Sequence, residues 1–187
     1  MESNLKNTKK VLKVVLFGPE STGKTTLCKE LAAHYQTVWV PEFARDYLQK
    51  KWDATQSICT YQDIMPIVKG QIALEKEGFK KANKVIFCDT DILETSVYSA
   101  AYFNNKVPKA LERLLEENNA DLYFLTFIDT PWTPDDLRDK PNERKFMFSL
   151  FKKAIHQTKK PYIVLKGDQR SRFIFAKKHV DQLIQSH

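Results

Sequence analysis

The sequence predicts an α/β fold in which a mostly five-stranded parallel sheet lies between two layers of helices. Apolar segments of strand length alternate along the chain with segments of helical periodicity. The strands are apolar on both sides, which indicates a sheet that helices cover on both faces. No linker, repeat or low-complexity tract divides the 187 residues. We therefore expect one domain over residues 11–187, after a flexible, lysine-rich N terminus at residues 1–10.

The predicted elements follow one another in strand–helix order. Strands are expected at residues 11–17, 37–40, 84–88, 122–128 and 162–165. Helices are expected at residues 24–35, 42–50, 61–83, 91–103, 108–118, 143–158 and 170–185. Pro66 and Gly70 should break or bend the third of these helices. Ligands of such a sheet bind at the carboxyl ends of the strands, so the residues there are the first candidates for a functional site.

Composition and charge exclude several classes of protein. With 42% hydrophobic and 28% charged residues, the chain is typical of a soluble globular protein. Three widely spaced cysteines favour neither a disulfide framework nor a zinc site. The N-terminal apolar run is too short for a signal peptide or a membrane span, so we expect a cytoplasmic protein. The net charge of +7 comes from scattered lysine doublets, which favours a solvated surface over a nucleic-acid groove.

A phosphate-binding loop follows the first strand. Residues 18–25, GPESTGKT, match G-x-x-x-x-G-K-[ST] with a strand before and a helix after. Gly18 and Gly23 permit a tight turn, and the backbone N–H groups converge on the phosphates. Lys24 is expected to contact the β- and γ-phosphates and the Thr25 hydroxyl to bind Mg²⁺. The predicted nucleotide-binding residues are Gly18, Glu20, Ser21, Thr22, Gly23, Lys24, Thr25 and Thr26.

Carboxylates follow the second, third and fourth predicted strands. Asp89 resembles a Walker B aspartate that holds Mg²⁺ through water, whereas Asp91 is equally consistent with a substrate contact and with a helix cap. Glu42 could accept the proton of a substrate hydroxyl or bind a diol, and Arg45, one turn later, would share its face. The alternative is a surface ion pair between Glu42 and Arg45. Asp129, in an Asp-Thr-Pro turn, is expected to be structural.

Residues 131–145 form a polar, proline-flanked segment that is expected to act as a lid. Its closure would bring Arg138 and Arg144 onto the phosphates and exclude water. The alternative is a solvated loop. Contacts to the nucleotide base are expected in residues 166–172, after the fifth strand.

Five segments together, GPESTGKT, PEFARDY, CDTD, DTPWTPDDLR and KPYIVLKGD, resemble the nicotinamide riboside kinase domain of NadR-type NAD-salvage proteins. They occur in order between residues 14 and 168. The resemblance implies a P-loop kinase fold and transfer of the γ-phosphoryl group of ATP, with Mg²⁺, to the ribose 5′-hydroxyl of nicotinamide riboside, giving nicotinamide mononucleotide. It also implies that Lys24 and Thr25 bind ATP–Mg²⁺, that Glu42, Arg45 and Asp91 lie near the nucleoside, and that Arg138 lies in the lid.

The chain departs from this family in two respects. Pro41 stands where members often carry an aromatic residue, a natural partner for a pyridinium ring. Trp39, two residues earlier on the strand, is predicted to reach the same side. Bifunctional members also carry an adenylyltransferase domain, and we expect the present chain to supply the kinase step alone.

The leading hypothesis is an ATP-dependent kinase of nicotinamide riboside. Its alternatives are a kinase of another small nucleoside or nucleotide, a nucleotide-sensing regulatory ATPase, and, more weakly, a nucleic-acid-stimulated ATPase. Glu42 or Asp89 could be the base. No membrane or nucleic-acid partner is expected, and the oligomeric state stays open. The candidate residues are Lys24, Glu42, Asp89 and Arg138 for catalysis, Trp39, Glu42, Arg45 and Asp91 for the acceptor, Thr25 and Asp89 for the metal, and Arg144 for ATP.

Overall fold

The computed structural model describes residues 10–138 and 142–187. Its strands, β1 to β5, are Leu12–Phe17, Trp39–Val40, Val85–Asp89, Leu122–Thr126 and Tyr162–Leu165. Its helices, α1 to α7, are Lys24–His34, Phe43–Thr55, Ile64–Lys81, Ile92–Tyr102, Lys109–Glu117, Arg144–Gln157 and Gln169–Gln185, with a 3₁₀ turn at Tyr61–Asp63 before α3. The predicted flexible N terminus lies outside the described residues, apart from Lys10. No helix in residues 10–138 and 142–187 has the length and apolar character needed to cross a bilayer.

The five strands form one parallel sheet in the order β2-β3-β1-β4-β5. On one face, Val14 and Leu16 of β1 pack with buried residues of α1 and α7. On the other face, Val15 and Phe17 pack with buried residues of α4 and α6. Helices therefore cover both faces, and the predicted three-layer α/β architecture is confirmed. Because β1 is central, the loop that follows it lies in the middle of the carboxyl edge.

Helix α3 runs without interruption through Pro66 and Gly70, so the predicted break is wrong. Pro66 is the third residue of the helix, where the missing N–H group has no acceptor within the helix to lose. Gly70 faces α2, and a Cβ atom at this position would overlap the Phe43 ring. Glycine thus permits the close approach of α2 and α3, and that approach positions the start of α2.

Gly70→Ala should lower the free energy of unfolding by up to about 2 kcal/mol. Alanine adds about 1 kcal/mol of helix propensity, but overlap with the Phe43 ring costs about 1–3 kcal/mol or more. Urea unfolding of Gly70→Ala measures the balance, with Lys76→Ala on the exposed face of α3 as the control. A Gly70→Ala protein more stable than the wild type would show that Phe43 moves aside at little cost.

Candidate active site

The loop between β1 and α1 is held from beneath by β4. Gly18 has a φ angle of +145° and Gly23 one of +79°, both in the region that favours glycine. A Cβ atom on Gly18 would lie 2.5 Å from Thr126 Oγ1. The buried Thr22 hydroxyl lies 2.7 Å from the same Thr126 oxygen and donates to Pro19 O at 2.7 Å. The Thr22 side chain therefore fixes the loop, which leaves the backbone to face a ligand.

Lys24 is buried at the start of α1 and contacts both backbone carbonyls and a carboxylate. Its Nζ donates to Gly18 O at 2.6 Å and to Pro19 O at 3.1 Å. It also lies 3.3 Å from Oε1 of Glu94, whose other oxygen accepts from Gly18 N at 3.4 Å. The lysine is thus held at the mouth of the loop, within reach of a phosphate that binds there.

Glu94 is a site residue that sequence analysis missed. Burial raises the pKa of its carboxyl to about 8, against the opposing charge of Lys24 and with help from Glu42 and Asp89. One signal was present in the sequence, because Glu94 is the single acidic residue in the otherwise uncharged segment 92–102. A charge in so apolar a helix indicates a buried partner.

Thr25 and Asp89 form the candidate metal site. The Thr25 hydroxyl donates to Asp89 Oδ2 at 2.5 Å. In the described part of the chain, Asp89 Oδ1 is buried without a hydrogen-bond partner. Burial raises the pKa of Asp89, while Lys24 opposes this. A hydroxyl beside a carboxylate with a free oxygen fits Mg²⁺, which takes few protein ligands and keeps phosphate and water oxygens.

A cavity of about 370 Å³ extends from the phosphate loop to an apolar compartment. This volume lies in the range of small-molecule sites. The loop side contains predicted nucleotide-binding residues, namely Glu20, Ser21, Thr22, Gly23, Lys24, Thr25 and Thr26. The apolar compartment is lined by Leu48, Trp52, Ile58, Cys59, Ile64, Ile67, Tyr102 and Phe103.

Glu42 and Arg45 also line the cavity. Burial raises the pKa of Glu42, while Lys24 opposes this. Arg45 forms its ion pair with Asp135 rather than with Glu42. Glu42 therefore lines the cavity without an ion pair to Arg45.

Arg138 also lines the cavity, and Asp135 connects it to α2. Its Nη1 donates to Thr133 O at 2.5 Å, and its Nε lies 3.1 Å from Asp135 Oδ2. Since Asp135 also binds Arg45, one carboxylate holds two guanidinium groups at the cavity wall. The predicted lid is described only in part, because residues 139–141 of segment 131–145 lie outside the described residues.

Arg144 does not reach the cavity and instead begins α6. Its Nη1 donates to Thr130 O at 2.7 Å and its Nη2 to Ser21 O at 3.2 Å. The guanidinium lies 5.7 Å from the Trp132 ring centre. Its Nε has no hydrogen-bond partner among the described residues, and its predicted contact with ATP stays a prediction. Arg144 thus connects Ser21 of the phosphate loop to Thr130, which follows β4.

Trp39 lies away from the predicted acceptor site. Its side chain packs on the core at the α1 face of the sheet, with Lys29 Nζ 4.9 Å from the ring centre. Val40 belongs to the core on the opposite face. Strand alternation therefore directs Trp39 away from the cavity, and the expectation that it reaches the acceptor is corrected.

Asp91 is fully buried and behaves as a structural residue. It caps α4 by accepting from Leu93 N at 3.0 Å. Its Oδ2 accepts from Tyr123 Oη at 2.6 Å and from Asn118 Nδ2 at 2.7 Å, and Lys13 Nζ lies 3.6 Å away. Asp91 is therefore a helix cap. A contact with the acceptor is not supported, because hydrogen bonds and an ion pair within the fold engage both carboxylate oxygens.

Asp129 has the structural role that the sequence predicts. It binds the buried Arg172 guanidinium and accepts from Gly167 N at 2.7 Å. Although burial favours the protonated form, these two donors hold the pKa of Asp129 below its usual value. Residues 166–172 lie outside the cavity lining, so the base contacts expected there stay a prediction.

A protein family described as "AAA domain" matches residues 13–172. The trifunctional NAD biosynthesis/regulator protein NadR of Escherichia coli (strain K12) is 30% identical over 164 residues, which cover 86% of this chain and 40% of that protein. The chain therefore spans less than half the length of this curated relative. The predicted resemblance to NadR is confirmed.

Two solved structures show the fold. The crystal structure of NadR protein in complex with NR matches with a TM-score of 0.72 and 22% identity, over 92% of this chain and 50% of that one. Thymidylate kinase from Ehrlichia chaffeensis matches with a TM-score of 0.67 and 14% identity, over 91% of this chain and 98% of that one. The predicted P-loop kinase fold is therefore confirmed.

The raised pKa of Glu94 predicts a pH effect on stability. The folded protein binds more protons than the unfolded chain between the ordinary pKa of 4.5 and the folded value of about 8. The free energy of unfolding should therefore fall as pH rises through this window. Glu94→Gln should make the fall shallower and stabilise the protein at pH 8.

Urea unfolding at pH 5, 6.5 and 8 measures this effect. Glu112→Gln, an exposed position on α5, is the matched control and should keep the wild-type slope. Equal slopes for Glu94→Gln and the wild type would contradict the assignment.

Proposed function

The chain belongs to the AAA domain family, and on this premise we propose that it is an ATP-dependent kinase that phosphorylates the ribose 5′-hydroxyl of nicotinamide riboside. One observation carries the proposal. A single cavity of about 370 Å³ is lined by the phosphate loop, by Glu42 and by a group of apolar side chains, and Thr25 in its wall binds Asp89. Such a cavity brings a donor phosphate and an acceptor hydroxyl together.

The phosphate loop supplies the donor side of the reaction. Its backbone N–H groups and the N terminus of α1 bind the triphosphate, and Lys24 contacts the β- and γ-phosphates. The Thr25 hydroxyl and Asp89 would hold Mg²⁺. When bound, this ion neutralises charge between the transferring and leaving phosphates. The loop is fixed by Thr22 and Thr126 before the nucleotide arrives, so little reorganisation accompanies binding.

Glu42 is the proposed base. Burial raises the pKa of its carboxyl above the usual value, which makes the carboxylate a better proton acceptor. Asp89 is less suited, because one of its oxygens accepts from Thr25 and the pair fits a metal. Glu42 would accept the proton of the 5′-hydroxyl while the oxygen of that hydroxyl attacks the γ-phosphorus and ADP leaves. Arg138, on the same cavity wall, would stabilise the charge that develops on the transferring group.

The apolar compartment is the proposed binding site for the base of the acceptor nucleoside. Trp52, Tyr102 and Phe103 line it and offer aromatic faces to a flat, cationic pyridinium ring. These residues belong to α2 and to the end of α4, and they replace the aromatic that is absent at Pro41. The NadR structure in complex with NR supports the same acceptor.

A nucleoside panel tests this proposal. Purified protein with ATP and Mg²⁺ should form ADP and nicotinamide mononucleotide from nicotinamide riboside, in equal amounts. Release of ADP should fall to background without an acceptor, because a kinase couples the two products. Thymidine and adenosine serve as competing acceptors. Preference for either would identify a different nucleoside kinase, and acceptor-independent ATP hydrolysis would favour the regulatory ATPase.

Two substitutions separate the roles of Lys24 and Glu42. Lys24→Ala should reduce turnover severely while the fold stays intact. Glu42→Gln should reduce kcat by roughly 100- to 10,000-fold, because the proton acceptor is lost, and leave the affinity for ATP nearly unchanged. Calorimetric titration with a non-hydrolysable ATP analogue measures that affinity. Weakened ATP binding in Glu42→Gln would place this residue on the nucleotide side instead.

A further inference from the structure

Asp135 is a partly buried carboxylate to which the proposed reaction assigns no role. Its two oxygens have different partners. Oδ1 accepts a hydrogen bond from Leu137 N at 3.0 Å, which closes a local turn. Oδ2 binds the guanidinium of Arg45 and lies 3.1 Å from Arg138 Nε. One carboxylate therefore joins a residue of α2 to residues 133–138, the segment that carries Arg138.

A second contact attaches the same segment to α2. Gln49, one turn after Arg45, donates from Nε2 to Asp136 Oδ2 at 3.2 Å. Positions i and i+4 lie on the same face of a helix, so two successive residues of the segment bind one face of α2. Arg45 and Asp136 also line the cavity. The segment is therefore docked on a helix that forms part of the cavity wall.

The ion pairs of Asp135 form a network rather than an isolated pair. Although burial favours the protonated form, the Arg45 guanidinium and the Leu137 N–H group hold the pKa of Asp135 below its usual value. A partly exposed pair between Asp135 and Arg138 alone would contribute little, because such pairs cost side-chain entropy and are screened by water. Arg45 changes this balance, since it attaches the shared carboxylate to α2.

Arg138 lies near the proposed base. Burial raises the pKa of Glu42, and the charge of Arg138 is among those that oppose this rise. Arg138 Nη1 donates to Thr133 O at 2.5 Å, so a carbonyl and a carboxylate together hold its guanidinium. The proposed reaction needs this cation at the transferring phosphoryl group, and a displacement of about 1 Å can lower a rate roughly 100-fold. The contact with Asp135 therefore bears on the rate.

We propose that Asp135 is a positioning residue for phosphoryl transfer: anchored by Arg45, it holds the Arg138 guanidinium where charge develops on the transferring group. The proposal rests on the proposed function, because it assumes a triphosphate at the phosphate loop. Asp135 takes no part in proton transfer or bond formation and acts through Arg138. Its effect therefore belongs to the transition state, and loss of Asp135 should lower kcat rather than raise KM for ATP.

Two variants of Asp135 and one control test this role. Asp135→Asn removes the charge at similar volume and keeps an oxygen for Leu137 N. It should lower kcat roughly 10- to 100-fold and change KM for ATP less than about threefold. Asp135→Glu keeps the charge on a longer side chain and should recover part of the loss. Asp46→Asn, exposed on α2 and outside the cavity lining, is the matched control and should keep the wild-type kcat.

A double-mutant cycle with Arg138→Met separates positioning from a general structural effect. If Asp135 acts through Arg138, adding Asp135→Asn to Arg138→Met should lower kcat by less than about threefold further. Losses that multiply would overturn the role of Asp135. So would a kcat at or above the wild-type value in either single variant, or a rise in KM for ATP in place of the fall in kcat.

Failure of the wild type to phosphorylate nicotinamide riboside is a separate result and contradicts the proposed function. The cycle is then measured on the nucleoside that the panel identifies, or on ATP hydrolysis if no nucleoside is accepted. The same cation serves in each case, because charge develops on the γ-phosphoryl group in all these reactions. Non-additivity in kcat then decides the role of Asp135.

Discussion

The buried guanidinium of Arg172 is the interaction on which the shape of the site depends. It donates to Thr22 O, Phe127 O and Gly167 O and pairs with Asp129, so it joins the loops after β1, β4 and β5. A buried charge is costly unless it is paired and fully hydrogen-bonded, and this one meets both conditions. Removal of Asp129 would leave the guanidinium charge uncompensated in the core. The phosphate loop is thereby held in position before a nucleotide binds, which is the preorganisation that electrostatic catalysis requires.

On this fixed frame, charge balance around Lys24 governs the chemistry. Glu42, Asp89 and Glu94 surround one buried lysine, and burial raises the pKa of all three carboxyls. Three ionised carboxylates beside a triphosphate would repel it. A raised pKa favours the uncharged form of a carboxyl and so lessens this repulsion, and a cation bound at Asp89 would lessen it further. The same burial makes the ionised form of Glu42 a better proton acceptor, which suits the proposed role as base. Burial thus favours both anion binding and proton transfer in the proposed reaction.

Local pattern was sufficient for the strand–helix order and for the phosphate loop, because both depend on periodicity and on glycines at fixed spacing. It was insufficient where tertiary packing selects between residues of the same type. Asp91 and Glu94 are three residues apart, yet Asp91 contacts Tyr123 of β4 whereas Glu94 contacts Lys24 of α1. Which carboxylate meets which partner depends on the sheet order, and a single sequence does not encode that order locally. The prediction for Trp39 was wrong for a similar reason. Pairing with β3 determines which face of the sheet each residue of the two-residue strand β2 meets.

At the acceptor end of the site, the aromatic side chains that could bind a base lie outside the segment that carries the family motif. Pro41 removes an aromatic from the strand end, but stacking needs only a ring face at the right place in space. Trp52 of α2 and Tyr102 of α4 line the cavity and can supply such faces. Stacking is tolerant of the ring it accepts, so it gives affinity without strong selection. Selection must then come from directional polar groups, because a buried donor or acceptor left unpaired costs far more than an imperfect ring contact. For this reason the residue at position 41 carries little information about which acceptor binds.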